Sequence, residues 1–370
     1  MNACVHRHNA KNRMEQYVNG DMRMEYIHGG DIYRNPVEYD FSVNINPLGM
    51  PLKSIQAAHE GIVLSGRYPD YSGEKLCQEI SRQRGVSEKS IILGNGAAEL
   101  IYALCHAVHP RHGLAPAPTF QEYAAAVTIA GGRMDYHVLR DTENFDLDEK
   151  ILDAITEDMD ILFLCNPNNP TGRLVNSELM KKIFARCGKM DVIVCVDESF
   201  LPFVEDAAER TALSYMTNEQ EPPCKLVVIR SFTKIYGMPG LRLGYLVCND
   251  DALLCEIRKN LQPWNTSVPA QMAGLAALAD GEFLAKTHDM MRAERAYLEL
   301  EMQQGLVEKL YPGCANFIFF RAEEMLMEML MERGIMIRDC SNFAGLSKGY
   351  FRIGIRSHSE NQMLIRRWRK

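Results

Sequence analysis

The residues able to do chemistry stand just beyond apolar runs. Lys234 follows Leu226–Ile229 in Ser231-Phe232-Thr233-Lys234, and Arg242 comes eight residues later, inside the glycine-rich stretch Gly237–Gly244. An amine with cationic and apolar neighbours loses basicity, which makes a lysine a usable nucleophile toward a carbonyl near neutral pH. Ser231, Thr233 and the Arg242 guanidinium offer donors that hold a dianion while the amine points elsewhere. Asp197 ends the run Val192–Val196, 37 residues before Lys234. A carboxylate there is partly desolvated and needs a cationic partner. A protonated pyridine-type nitrogen qualifies, and holding it protonated makes the ring an electron sink. Asn166, after Ile161–Leu164, adds a hydrogen-bond donor. The plainer alternatives are a surface lysine beside a turn and an acid that caps a helix.

A further feature is Ile91–Leu93 entering Gly94-Asn95-Gly96 and a helix that starts near Ala97. Free N–H groups and the positive end of the helix dipole make such a turn a small anion site, sized for a phosphate monoester; an ordinary scaffold turn looks the same. No G-x-x-x-x-G-K-[ST] is present, and Gly94-Asn95-Gly96 lacks the third glycine of a dinucleotide fingerprint, so nucleotide readings lose support.

These groups meet in one pocket only if the apolar runs are neighbouring strands. Short continuous runs separated by helical stretches (Ala97–Val108, Ser177–Cys187) read as parallel strands covered on both faces. In open α/β sheets, ligands bind beyond the carboxyl ends of the strands. After about Asp280 the texture changes to a charged amphipathic segment, Glu282–Lys309, a strand at Asn316–Phe320, a helix from Ala322 to Arg333 and a strand at Tyr350–Ile355. That pattern predicts a separate, smaller α+β domain. Met325, Met327, Met329 and Met331 read as core packing of its helix, and Arg366, Arg367, Arg369 and Lys370 as a solvated helix end.

The 370 residues are 46% apolar and 24% charged, ordinary for a folded protein with a large core. A formal charge of −7 gives no basic field for nucleic acid or anionic membranes. No run approaches the roughly 18 apolar residues that cross a bilayer, and residues 1–20 lack the apolar segment of a signal peptide, so the cytoplasm is expected. The eleven cysteines are scattered through strands and helices and read mostly as buried thiols. Cys105, His106, His109 and His112 lack paired C-x-x-C spacing and read as a helix end rather than a metal site.

Taken together, Asn166-Pro167-Asn168-Asn169-Pro170-Thr171-Gly172, Asp197-Glu198 and Ser231-x-Thr233-Lys234-x7-Arg242-x-Gly244 resemble the pyridoxal-phosphate enzymes of aminotransferase fold type I. The resemblance runs from about Met24 to the C-terminus. It implies a mainly parallel sheet sandwiched by helices in a large cofactor-binding domain, residues 56–275, with a small C-terminal domain, 276–370. Residues 24–55 would join the small domain, after an N-terminal extension, 1–23. Lys234 would form the Schiff base with pyridoxal 5'-phosphate, Asp197 would meet the pyridine nitrogen, and Asn166 the ring hydroxyl. Ser231, Thr233, Arg242 and the Gly96, Ala97 and Ala98 amides would hold the cofactor phosphate. Phe120 would stack on the ring, ahead of Tyr123, and Tyr68 would reach the phosphate from a second subunit of a homodimer. One departure is Phe200, where related aminotransferases often have tyrosine.

Arg338 and Arg352 are placed to receive an anionic substrate, and two guanidiniums suit a doubly charged group or two separate anions. Within the fold, His28-Gly29-Gly30, Asp40–Gly49 and Arg338-Asp339-Cys340-Ser341-Asn342-Phe343-x-Gly345-Leu346 resemble the threonine-phosphate decarboxylases of cobalamin biosynthesis more than the histidinol-phosphate aminotransferases. That resemblance implies decarboxylation of a phosphorylated amino acid to an amino-alcohol phosphate, with His28 and Asn46 as further substrate contacts. A turn histidine and an Asx turn before Pro47 are the alternatives for those two. Amino transfer would use the same cofactor residues, and a regulator that binds the cofactor without turnover has no need of Lys234.

Overall fold

A computed structural model describes residues 28–217 and 223–370. The expected extension 1–23, the start of the joining segment, Cys4 and Pro222 lie outside the described residues. The strands are β1 (Tyr39–Asp40), β2 (Ile91–Gly94), β3 (His112–Ala117), β4 (Arg133–Val138), β5 (Ile161–Cys165), β6 (Ile193–Asp197), β7 (Leu226–Ser231), β8 (Gly244–Cys248), β9 (Lys309–Leu310), β10 (Phe317–Arg321), β11 (Ile335–Met336), β12 (Arg338–Asp339) and β13 (Tyr350–Gly354).

Seven of them form the central sheet in the order β2-β8-β7-β6-β5-β3-β4. The four apolar runs singled out in the sequence are β2, β5, β6 and β7, and they run in one direction as expected. β8 is antiparallel and sits between β2 and β7, a placement no local pattern announces. Successive side chains of a strand point to opposite faces, so β5 serves two cores. Ile161, Phe163 and Cys165 pack with Leu100, Ile101 and Leu104 of the helix Ala97–Val108. Leu162 and Leu164 pack with Leu179, Ile183 and Phe184 of the helix Ser177–Met190. Asn176 starts that second helix by accepting from Glu178 N–H at 2.9 Å and from Leu179 N–H at 3.3 Å. Both helices stand where the sequence places them.

The second sheet is antiparallel, ordered β12-β13-β10-β9, and β1 pairs in parallel with β11. The segment after residue 38 therefore lies against the C-terminal part of the chain. The helix expected over 322–333 is shorter, Leu326–Glu332, and its core face is Leu326 and Leu330. Met327 and Met329 pack, partly buried, against this core as expected, whereas Met325, which precedes the helix as its N-cap residue, is 64% exposed. Arg367 and Arg369 are not simply solvated: Arg367 pairs with Glu38, and Arg369 with Glu301 at 2.7 Å. Eight of the ten described cysteines are buried, all free thiols. His109 forms the left-handed C-cap of its helix, and His112 opens β3 between Asp135 and Asp158. Among the described residues no helix is long and apolar enough to cross a membrane.

Candidate active site

Three adjacent strand ends bring Asn166, Asp197 and Lys234 together. Cys165 of β5 is in register with Asp197 of β6, and Asp197 with Ile229 of β7. Asn166 N–H donates to the Asp197 carbonyl at 2.9 Å. The Asn166 side-chain Oδ1 accepts from Val175 N–H at 2.8 Å, which leaves the Nδ2 hydrogens for another acceptor. Ser231 ends β7 and caps the single turn Phe232–Ile235: its Oγ accepts from Thr233 N–H at 3.2 Å and lies 2.7 Å from Thr233 Oγ1. Lys234 is the third residue of that turn. Its side chain is largely enclosed yet keeps some accessible surface, as befits the floor of a cleft. Burial, and then the positive charges of Arg352 and Arg242, lower the amine to about 8 against the opposing pull of Asp197.

Asp197 is 4% exposed. Tyr123 OH donates to its Oδ2 at 2.8 Å, and Ser199 N–H donates to Oδ1 at 2.9 Å. Burial raises the carboxyl pKa; Ser199, Tyr123 and the Lys234 charge pull it back. No lysine or arginine among the described residues forms an ion pair with it. The adjacent acid behaves differently. Glu198 is fully buried but bonded to Arg230 Nη2 at 2.7 Å, Thr211 Oγ1 at 2.8 Å and Ala212 N–H at 2.6 Å. Of the two neighbouring carboxylates, one is compensated by the protein and the other is not. Replacing Arg230 with methionine strands the Glu198 charge and is expected to destabilise the chain by about 3–5 kcal/mol, measured by denaturant unfolding.

The glycine turn closes a cup beside Lys234. Gly94 and Ser231 both pair with Gly244 across antiparallel ladders. A Cβ on Gly244 would stand 2.8 Å from Ala97 N, and one on Gly96 would stand 2.6 Å from Arg242 Nη2. Backbone and guanidinium approach this closely only because both positions are glycine, and Gly96 also holds a φ of 84°. The Ala97 and Ala98 N–H groups lie in the first helical turn and have no intrahelical acceptor. Gly96 differs from expectation: its N–H donates to the Gly94 carbonyl at 2.8 Å, which leaves Ala97 and Ala98 as the amides of this turn without an intrahelical acceptor.

Arg338 and Arg352 stand opposite each other on β12 and β13. Arg352 donates through Nη1 to Asn169 Oδ1 and through Nη2 to the Ser42 carbonyl at 2.8 Å, while its buried Nε has no partner. Burial lowers it to about 10. Arg338 donates to Asn342 Oδ1 at 2.9 Å and lies over the Phe343 ring. Gln121 donates to the Asn342 carbonyl, which ties this loop to the segment that carries Phe120. Phe120 is half-buried, edge-on to Tyr123 with centroids 5.6 Å apart. His28 lies 6.0 Å from the Phe120 ring and bonds Glu122 at 2.8 Å.

Two expected positions, Asn46 and Tyr68, lie apart from this group or are committed elsewhere, and Phe200 is the departure already noted. Asn46 is buried with its Nδ2 donating to the Ile235 carbonyl and to Thr287 Oγ1, both at 2.8 Å, while its Oδ1 accepts from Leu48 N–H at 3.0 Å. That is the Asx-turn alternative, bracing the backbone beneath Lys234. Tyr68 is 76% exposed and stacks on Trp264 at 4.4 Å. Phe200 packs edge-on against Phe317 at 5.1 Å and brings no hydroxyl to the site.

This donor set suits pyridoxal 5'-phosphate. The cup offers amides, hydroxyls and a guanidinium for a phosphate; the uncompensated Asp197 carboxylate suits a pyridinium; Asn166 Nδ2 suits a phenolate oxygen; and Lys234 is an amine of lowered basicity for an aldehyde.

Comparison with known proteins agrees with this chemistry. The family model for aminotransferase class I and II matches residues 38–367. The chain is 36% identical to the threonine-phosphate decarboxylase of Salmonella typhimurium over 88% of this chain and 89% of that one. It is 33% identical to the histidinol-phosphate aminotransferase of Clostridium kluyveri, over 81% of this chain and 82% of the other. The crystal structure of the histidinol-phosphate aminotransferase from Clostridium acetobutylicum superposes with a TM-score of 0.83 at 29% identity, covering 90% of this chain and 98% of that one. The chain therefore belongs to the class I and II aminotransferase family, with aminotransferase fold type I and pyridoxal 5'-phosphate as its cofactor.

Proposed function

We propose that this enzyme removes the carboxyl group of a phosphorylated amino acid, O-phospho-L-threonine first among them, releasing CO2 and leaving 1-amino-2-propanol phosphate. The observation that carries the reading is the pair of buried guanidiniums, Arg338 and Arg352, in register on adjacent strands. Two such groups side by side repel each other and are costly to bury unless anions join them. A substrate with a phosphate and a carboxylate brings two. The similarity to the Salmonella enzyme supports the same choice.

When bound, pyridoxal phosphate supplies a conjugated, electron-withdrawing ring that takes up the electron pair left by a bond broken at Cα. Lys234 is the amine on which the cofactor is held. Asp197 keeps the ring nitrogen protonated, and Asn166 donates to the ring oxygen. Phe120 covers one ring face, and the Ala97–Ala98 amides, Ser231, Thr233 and Arg242 hold the phosphate. Arg338, Arg352 and His28 would bind the substrate anions, and by fixing them would select which of the bonds at Cα is broken. Lys234 would be the group that holds the proton which replaces CO2 at Cα. Tyr68, exposed and stacked on Trp264, belongs to a surface that a second copy of the chain covers.

A second reading, amino transfer, is favoured by the similarity to histidinol-phosphate aminotransferases, with Lys234 taking the Cα proton. One assay separates them. With pyridoxal phosphate and O-phospho-L-threonine but no keto acid, CO2 release over many turnovers is expected. Activity that appears only with histidinol phosphate and 2-oxoglutarate would overturn decarboxylation, and no turnover with either would leave a cofactor-binding regulator.

A further inference from the structure

We propose that Tyr123 is a positioning residue whose hydroxyl holds the Asp197 carboxylate ionised and aimed at the cofactor's ring nitrogen. This rests on the proposed role of Asp197. Tyr123 lies in the helix Glu122–Ile129, fully buried, with its ring stacked on Phe163 at 4.9 Å and 7° and edge-on to Phe120 at 5.6 Å and 81°. Both contacts fix the ring and bring the hydroxyl to Asp197 Oδ2, to which it donates at 2.8 Å, with the Cys165 thiol as its other neighbour. One face of the ring is already taken by Phe163, which leaves cofactor stacking to Phe120.

The surroundings of the carboxylate make this donor consequential. Asp197 is faced by Tyr123 from its helix, by Cys165 from β5, by Cys195 from its own strand and by Lys234 from the turn after β7. Burial pushes both thiols far above their ordinary range, and it pushes the Tyr123 phenol up as well, so all three stay neutral and the phenol remains a donor. Burial favours the neutral acid at Asp197, and only an ionised carboxylate pairs with a pyridinium. A hydroxyl that donates to the charged form opposes that drift. Without it the carboxyl pKa rises, and the ring nitrogen loses its partner at a higher pH.

The test compares wild type, Tyr123→Phe, Asp197→Asn and the double variant. Phenylalanine keeps the ring contacts and removes only the donor. The affinity of each apoprotein for pyridoxal phosphate is titrated against pH, and the infrared carbonyl band of a protonated carboxylic acid is followed in the same apoproteins. For Tyr123→Phe, cofactor affinity and the carboxylate both give way on the acid side at a pH about one unit higher than in wild type, equal to about tenfold weaker binding between the two midpoints. In Asp197→Asn that acid limb is missing, and adding Tyr123→Phe changes nothing further. Should Tyr123→Phe fold poorly, 3-fluorotyrosine at position 123, a stronger donor of nearly the same shape, moves the midpoint the opposite way. Identical midpoints in wild type and both Tyr123 variants overturn the proposal for Tyr123 alone. An Asp197→Asn enzyme with unchanged affinity and pH profile overturns the role of Asp197, and this proposal with it.

Discussion

Replacing Lys234 with alanine abolishes the visible absorbance of the bound cofactor and lowers turnover by about 10⁴-fold or more, because both attachment and proton handling at the cleft floor depend on one amine. At about 8, roughly a tenth of the Lys234 amine is unprotonated at pH 7, whereas an ordinary lysine near 10.4 has fewer than about one in a thousand in that form. Burial is the main cause of the gain, and the charges of Arg352 and Arg242 add to it. The same cause gives a control. In the apoprotein the ammonium is held against its preference, so removing it relieves repulsion, and the apo variant is expected to melt no lower than wild-type apoprotein. Loss of the absorbance band with retained melting temperature isolates chemistry from folding. A Lys234→Ala enzyme that keeps the band and normal turnover is incompatible with the assignment. The pH sign also follows: cofactor attachment in wild type slows as pH falls below about 8, where the amine becomes protonated.

What was legible in the sequence were the strand ends. An apolar run that stops abruptly at a polar residue marks the carboxyl edge of a buried strand, and Asn166, Asp197 and Ser231 all stand at such stops, on β5, β6 and β7. The glycine turn before Ala97 was legible for the same local reason. What was not legible depends on contacts between distant residues. β8 enters between β2 and β7 in the opposite direction, and only that insertion brings Gly244 against Ala97 and Arg242 against Gly96. Asn46 looked like a substrate contact because an Asx turn and a ligand donor use the same side chain; Thr287, 241 positions away, takes its amide. Tyr123, second to Phe120 as a ring to stack on the cofactor, has Phe163 and Asp197 for company instead.

Substituting Arg352 with leucine is expected to raise KM for the phosphorylated substrate until kcat/KM falls by about 10²–10⁴-fold, while the cofactor still binds and its attachment to Lys234 moves to a higher pH, one of the charges that lower the amine being gone. The size follows from losing about two charge-assisted hydrogen bonds, each contributing about 1.5–3 kcal/mol. Lysine at 352 keeps a positive charge but has no fork to bond Asn169 Oδ1 and the Ser42 carbonyl while also meeting an anion, so Arg352→Lys recovers only a minor part. The unpartnered Nε is what points beyond a structural role, since an arginine placed solely to join Asn169 to Ser42 gains nothing by burying a third donor unbonded. Stability gives the contrast. Losing those two contacts costs the fold, but relief of repulsion from Arg338 and Lys234 offsets the cost, so the melting temperature of the apoprotein changes little. An Arg352→Leu enzyme with unchanged KM and a much lower melting temperature would show that the guanidinium only braces the strands, and the substrate's anions would have to be bound elsewhere in the cleft.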